Sequence, residues 1–182
     1  MYITQVMYDA GYAADDPGFA LQHWKMYLRA TVNAILDIET HTGGMTEEER
    51  GLKYAELLRE KIEELGPETV LAFLMEPVGG ASTGALVPPA GYMTRIREIC
   101  DRYGVLLIHD EVISGGGRTG RFLAADHWGV VPDMLTISKG FGSGYMPLGA
   151  LIAKDEIVET VLDAGNYLHG FTYAGFHVAA VQ

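Results

Sequence analysis

Cysteine is almost missing from this chain. Cys100 is the only one in 182 residues, so an intrachain disulfide is excluded and a reducing compartment is the natural setting. Positive charge is scarce too: Lys and Arg total 13 against 24 Asp and Glu, a formal charge of −11. That balance argues against a nucleic-acid partner, because such surfaces need clustered cations to displace counterions. No uninterrupted apolar stretch approaches the ~20 residues needed to cross a bilayer, so no membrane partner is expected. The start, Met1-Tyr2-Ile3-Thr4-Gln5-Val6, has no basic stretch followed by an apolar run, and hence no sign of a signal peptide. With no low-complexity tract either, the expectation is a cytoplasmic globular protein, and a 48% apolar composition suffices for a sizeable core.

The first fifty residues read as helical. Asp16-Pro17 is a suitable N-cap and first-turn pair, after which Leu21, Trp24, Leu28, Ile35 and Ile38 recur at helical spacing. Gly43-Gly44 stops that helix, and Thr46 with Glu49 forms a capping box for a second, through Tyr54, Leu57, Leu58, Ile62 and Leu65 to Gly66-Pro67. Beyond Pro67 the rhythm changes to short apolar runs at Val70–Met75, Val105–His109, Met134–Ser138 and Ala150–Ala153, with a helical segment from about Gly91 to Tyr103. Strands alternating with helices predict an α/β layer with a buried, mostly parallel sheet of about four strands. The runs end in Glu76-Pro77, Asp110-Glu111 and Lys139-Gly140, and open α/β sheets bind ligands outside the carboxyl ends of their strands.

Lys139 sits in Ile137-Ser138-Lys139-Gly140-Phe141-Gly142-Ser143-Gly144, straight after a predicted strand. A lysine there is either a solvated side chain on a glycine-rich loop or an amine held as an imine with an aldehyde cofactor, which the glycines would let approach closely. Asp110 follows the apolar run Val105-Leu106-Leu107-Ile108-His109 and reaches the same edge of the sheet. It reads either as a loop or cap carboxylate, or as the anion that a pyridine nitrogen needs to stay protonated. An acid and a lysine ending neighbouring strands are a more specific pattern than either alone.

Five motifs in order carry a resemblance: Leu74-Met75-Glu76-Pro77-Val78, Leu107-Ile108-His109-Asp110-Glu111-Val112, Gly117-Arg118-Thr119-Gly120, Ser138-Lys139-Gly140 and Gly170-Phe171-Thr172-Tyr173. From residue 51 to 182 the chain resembles the class III aminotransferases, enzymes that depend on pyridoxal 5'-phosphate. The resemblance implies part of a fold-type I large domain, with Lys139 as the Schiff-base lysine and proton shuttle and Asp110 as the partner of the ring nitrogen. It further implies Val112 packed on the ring face, Glu76 organising groups near the ring hydroxyl, and Thr172 reaching the cofactor phosphate of a neighbouring subunit in a homodimer with shared sites. The implied reaction transfers an amino group from an amine or amino acid to a 2-oxo acid. The same Lys–Asp pair would also serve an aminomutase, a racemase or a decarboxylase, and a truncated, non-catalytic chain is a further alternative.

Some positions depart from that pattern. Ala81 stands where ornithine-type members carry a second glutamate, and Ile113 where they often have glutamine; Gly175-Phe176-His177 replaces the usual Gly-His-Pro. Ornithine-like donors are therefore not expected. Family members exceed twice this length, so the chain reads as a fragment. Residues 1–50 resemble instead the C-terminal helices of a bacterial family of unknown function whose members look like zinc peptidases, on Asp9-Ala10-Gly11-Tyr12, Asp16-Pro17-Gly18-Phe19-Ala20-Leu21 and His41-Thr42-Gly43-Gly44-Met45-Thr46-Glu47-Glu48-Glu49. A joint between two origins is expected near Glu49–Gly51. A hydrolase would need that family's histidine–glutamate metal motif, which is absent. Asp37 and His41, one turn apart, read as a solvated helix face, so no metal is expected.

Overall fold

A computed structural model of the chain describes residues 5–8, 44–80 and 84–165. Helix α1 (Glu47–Leu65) begins as its sequence dictates: the Glu49 N–H donates to Thr46 Oγ1 at 3.2 Å, and the Thr46 N–H donates to Glu49 Oε2 at 2.8 Å. These two bonds satisfy donors that a helix start otherwise leaves bare. Three- and four-residue spacing puts Tyr54, Ala55, Leu58 and Ile62 on one buried stripe. Helix α2 (Tyr92–Tyr103) buries Tyr92, Met93, Ile96, Ile99 and Cys100 in the same way. Gly104, at φ 67°, ends it in the left-handed turn that glycine adopts without steric cost.

Both helices pack on one face of a five-stranded sheet whose strands lie side by side in chain order. The strands are β1 (Gln5–Tyr8), β2 (Val70–Met75), β3 (Leu106–Asp110), β4 (Met134–Ile137) and β5 (Ala150–Ala153); helix α3 (Asp155–Asp163) follows β5. Pairing sets Phe73 beside Leu107, Met75 beside His109, and His109 beside Leu135. These residues are buried, and Phe73, Met75 and Leu107 share a core with the α1 and α2 stripes. Each fully buried Leu, Ile or Phe in that core contributes about 2 kcal/mol of transfer free energy. The intervening residues Leu74, Ile108, Asp110, Met134 and Thr136 face the other way and are only half-buried. The sheet therefore has one sealed face and one more open face, and Asp110 stands on the open one.

The α/β class and the four expected strands hold, with Val70–Met75 and Ala150–Ala153 at the expected limits. Two expectations are corrected. A fifth strand, β1, lies inside the segment read as helical and pairs antiparallel with β2 along what would otherwise be its free edge. Four residues are too few to show a period, and the bonds that make Gln5–Tyr8 a strand come from residues about 65 positions away. The sheet is also not mostly parallel: β2–β3 and β3–β4 run parallel, while β1–β2 and β4–β5 run antiparallel. The expected helix that opens at Asp16-Pro17 and stops at Gly43-Gly44, with Asp37 and His41 on it, lies outside the described residues up to residue 43.

Candidate active site

Three strands deliver polar groups to one end of the sheet. Glu76 follows β2 directly, one step beyond the Met75–His109 pair, so strand alternation sets it beside Asp110 on the open face. Asp110 ends β3 and pairs with Thr136 of β4; Lys139 comes three residues later. The Asp110 carboxyl is fixed through one oxygen: Oδ1 accepts the Val112 N–H at 3.0 Å and the Thr136 hydroxyl at 3.4 Å. Aspartate favours this turn because its side chain reaches the backbone two residues on. Oδ2 has no hydrogen-bond partner among the described residues.

Lys139 is exposed and opens a short 3-10 turn, Lys139–Gly142, with φ at 47°. A side chain in this left-handed region is uncommon and is held by its surroundings. One such constraint is visible. A Cβ on Gly116 would lie 2.7 Å from both the Gly140 carbonyl carbon and the Phe141 nitrogen, so the loop after β3 passes directly against the lysine turn. Glu111 anchors that loop. It is fully buried, its Oε2 accepts the Ser114 hydroxyl at 2.6 Å, and its Oε1 accepts the Ala125 N–H at 2.9 Å.

The electrostatics tie the three groups together. Burial first, and then the neighbouring charge of Asp110, push the Glu76 carboxyl above the usual carboxylate range; a hydrogen bond from the Gly80 N–H and the charge of Lys139 pull it partly back. Asp133, on the sealed side, is a structural hub. Its Oδ2 accepts Arg97 Nη1 at 2.9 Å and the Leu107 N–H at 2.7 Å, and its Oδ1 accepts Lys154 Nζ at 2.6 Å. Burial pushes this carboxyl up, but the bonds from Lys154, Leu107 and Arg97 outweigh it and hold it low. A hollow of about 220 Å³ lined by Val130, Pro132, Met134 and Ile152 opens at the start of β4, the opposite end from Lys139.

The structure thus brings together Glu76, Asp110, Val112 and Lys139, whereas Thr172 and Ala81 lie outside the described residues. Sequence reasoning missed Glu111, Asp133 and the Gly80 and Gly116 contacts. Glu111 sits within a quoted motif, but only the fold shows that its partners are Ser114 and Ala125. Among the described residues no group of three His, Cys, Asp or Glu side chains could hold a metal, and no helix is long and apolar enough to cross a membrane.

An amine and two carboxylates thus stand at the carboxyl edge of an α/β sheet, the edge outside which open sheets of this class bind ligands. A profile of the family described as aminotransferase class III matches residues 22–181. The chain is 48% identical over 138 residues to the putrescine–pyruvate aminotransferase of Pseudomonas aeruginosa, covering 76% of this chain and 30% of that protein. Among solved structures it is similar to a thermostable (S)-enantioselective omega-transaminase from Thermomicrobium roseum, with a TM-score of 0.69 and 47% identity over 73% of this chain and 30% of that one. It is also similar to an amine transaminase from an uncultivated Pseudomonas species in its PLP-bound form, with a TM-score of 0.61 and 45% identity over 65% of this chain and 28% of that one. The chain belongs to the class III aminotransferase family, and spans about 30% of the length of the first curated relative it matches.

Proposed function

We propose that this chain carries the cofactor-holding centre of a pyridoxal-phosphate-dependent aminotransferase acting on an amine or amino acid and a 2-oxo acid. The observation that carries the reading is the placement of Asp110 at the end of β3 on the open face and of Lys139 just past the end of the adjacent strand β4, with Asp110 Oδ2 unengaged among the described residues. This donor set fits the cofactor: one primary amine for its aldehyde, and one positioned carboxylate for its ring nitrogen. When bound, the cofactor supplies an electron-withdrawing ring that stabilises charge developing on the substrate carbon.

Asp110 would hold the proton on the ring nitrogen through Oδ2, while Val112 and Thr136 keep the carboxyl from turning away. Lys139 Nζ would anchor the cofactor and, once released by the substrate amine, take and return the proton at the substrate carbon. Val112, half-buried beside Asp110, would pack on the ring, and Glu76 would order the groups at its hydroxyl edge. Thr172 would complete the phosphate site of a second copy, which makes a homodimer with shared sites part of the proposal. A cytoplasmic location fits the near-absence of cysteine.

For substrates, Ala81 in place of a second glutamate removes the feature that would favour an ornithine-like donor. The naming of the Pseudomonas relative for putrescine and pyruvate supports an amine donor with a small 2-oxo acid acceptor. We also propose that residues 1–50 are a segment of different origin joined to a partial large domain at 51–182. The separate resemblance carried by Asp9–Tyr12, Asp16–Leu21 and His41–Glu49, which meets the other near Glu49–Gly51, supports this, while the family profile reaches back to residue 22.

Lys139 is tested by mixing the chain with pyridoxal phosphate, reducing with borohydride and mapping the labelled peptide. The label should concentrate on Lys139 and vanish from that peptide in Lys139→Ala. Even labelling of Lys25, Lys53, Lys61, Lys139 and Lys154 would mean surface chemistry and overturn the reading.

A further inference from the structure

Gly80 has been given no role of its own, yet it is buried at the same corner as Glu76. A Cβ added there would lie 2.3 Å from Glu76 Oε2 and 2.8 Å from Ile113 Cδ1. Both distances are far below van der Waals contact, so the carboxyl of Glu76 occupies the space that any side chain at position 80 would take. The same carboxyl accepts a hydrogen bond from the Gly80 N–H. The backbone around Gly80 is pinned on both sides: the Gly79 N–H donates to the Leu86 carbonyl at 2.8 Å, and the Gly80 carbonyl accepts the Gly84 N–H at 3.0 Å. Position 80 therefore cannot yield, and the movable atoms are the tips of Glu76 and Ile113.

We propose that Gly80 is a positioning residue for the cofactor edge: by lacking a side chain and offering its N–H, it seats the Glu76 carboxyl beside Asp110 and Lys139, with Ile113 closing the corner. This rests on the reading of the site as a pyridoxal-phosphate centre. The groups facing the Glu76 carboxyl are Asp110, whose charge raises its affinity for a proton, and Lys139 and the Gly80 N–H, which oppose that rise. A carboxyl held in this way sets the field at the open face, and any residue larger than glycine would turn it out toward solvent. Gly80 is not among the positive-φ glycines, so alanine is conformationally acceptable there. The obstructed atoms are ends of flexible side chains, so Gly80→Ala should fold and yet misplace Glu76.

The test uses the full chain, with Gly80→Ala, Glu76→Gln and the double variant. Without cofactor, the Gly80 amide resonance is followed against pH. It should titrate with a midpoint above 4.5, the ordinary value for glutamate, and the titration should disappear in Glu76→Gln. With pyridoxal phosphate bound, the pH midpoint of its visible absorbance should shift in Gly80→Ala by about half a unit or more, in the same direction as in Glu76→Gln. The double variant should add nothing further, and the circular dichroism of all four proteins should match. A Gly80 amide that does not titrate would overturn the inference. So would a wild-type absorbance midpoint in Gly80→Ala alongside a shifted one in Glu76→Gln; in either case labelling of Lys139 leaves the functional reading standing. If pyridoxal phosphate labels no specific lysine, the functional reading fails, and with it the positioning role.

Discussion

Lys139 holds its φ at 47°, where a residue other than glycine costs roughly 1 kcal/mol or more because its Cβ crowds the backbone. Lys139→Gly should therefore be more stable than Lys139→Ala by about 1 kcal/mol in urea unfolding, although both lose the amine. Equal stability of the two would mean that the turn carries no such cost. His109, one residue before Asp110, poses a different problem. It is fully buried, neither ring nitrogen has a hydrogen-bond partner among the described residues, and burial, followed by the charge of Arg97, lowers its pKa from 6.5 to about 4 against the opposing pull of Asp133. Between those values the unfolded chain binds more protons than the folded one. The contribution is thus complete above about pH 6.5 and is lost as pH falls toward 4, by on the order of 3 kcal/mol. Replacing the ring by an apolar side chain of similar size, His109→Leu, should flatten the stability difference between pH 7 and pH 5. A fall as steep as wild type would place the acid sensitivity elsewhere.

At the level of elements, helix α1 shows packing outweighing propensity. Gly51 lies in its first turns, where alanine would be favoured by about 1 kcal/mol in an exposed helix. Here a Cβ would meet the Ala90 carbonyl oxygen at 1.9 Å, and that atom belongs to backbone entering α2. Gly51→Ala should therefore lower stability by roughly 2 kcal/mol, seen as a lower thermal midpoint, because α1 must be displaced from α2. A neutral or stabilising effect would show that the two helices can part at little cost. Features of this kind explain what the sequence made legible. The Thr46–Glu49 cap, the α1 stripe, the helical segment that becomes α2 and the runs Val70–Met75 and Ala150–Ala153 are local patterns, and they appear where expected. The gathering of Glu76, Asp110 and Lys139 could be anticipated because each ends an apolar run. The pairing of β1, the Asp133 hub and the contact of Gly80 with Glu76 depend on groups distant in sequence or on the exact course of a loop, and no local period encodes them.

Across the whole molecule, order is unevenly distributed. The core of α1, α2, β2 and β3 is sealed, with Leu58, Ile62, Phe73, Ile96 and Leu107 at 0% exposure. On the other side, β5 leaves Leu151 and Ile152 about half exposed, and α3 buries none of its nine residues. The lysine turn joins these two regions, since β4 precedes it and β5 follows it. Amide hydrogen exchange should therefore occur in tiers. Amides of β5 and α3 should exchange through local openings of low free energy, while those of β2, β3 and the middle of α2 should be released only by global unfolding. Uniform protection over all the strands would instead mean that the chain opens as a single unit. Tiered exchange would have a further consequence for Lys139, which would sit on the seam between a part that opens only with the whole and a part that opens often. How long its turn keeps one conformation would then be set by how frequently β5 detaches, a rate property of the neighbouring strand independent of the geometry of the site.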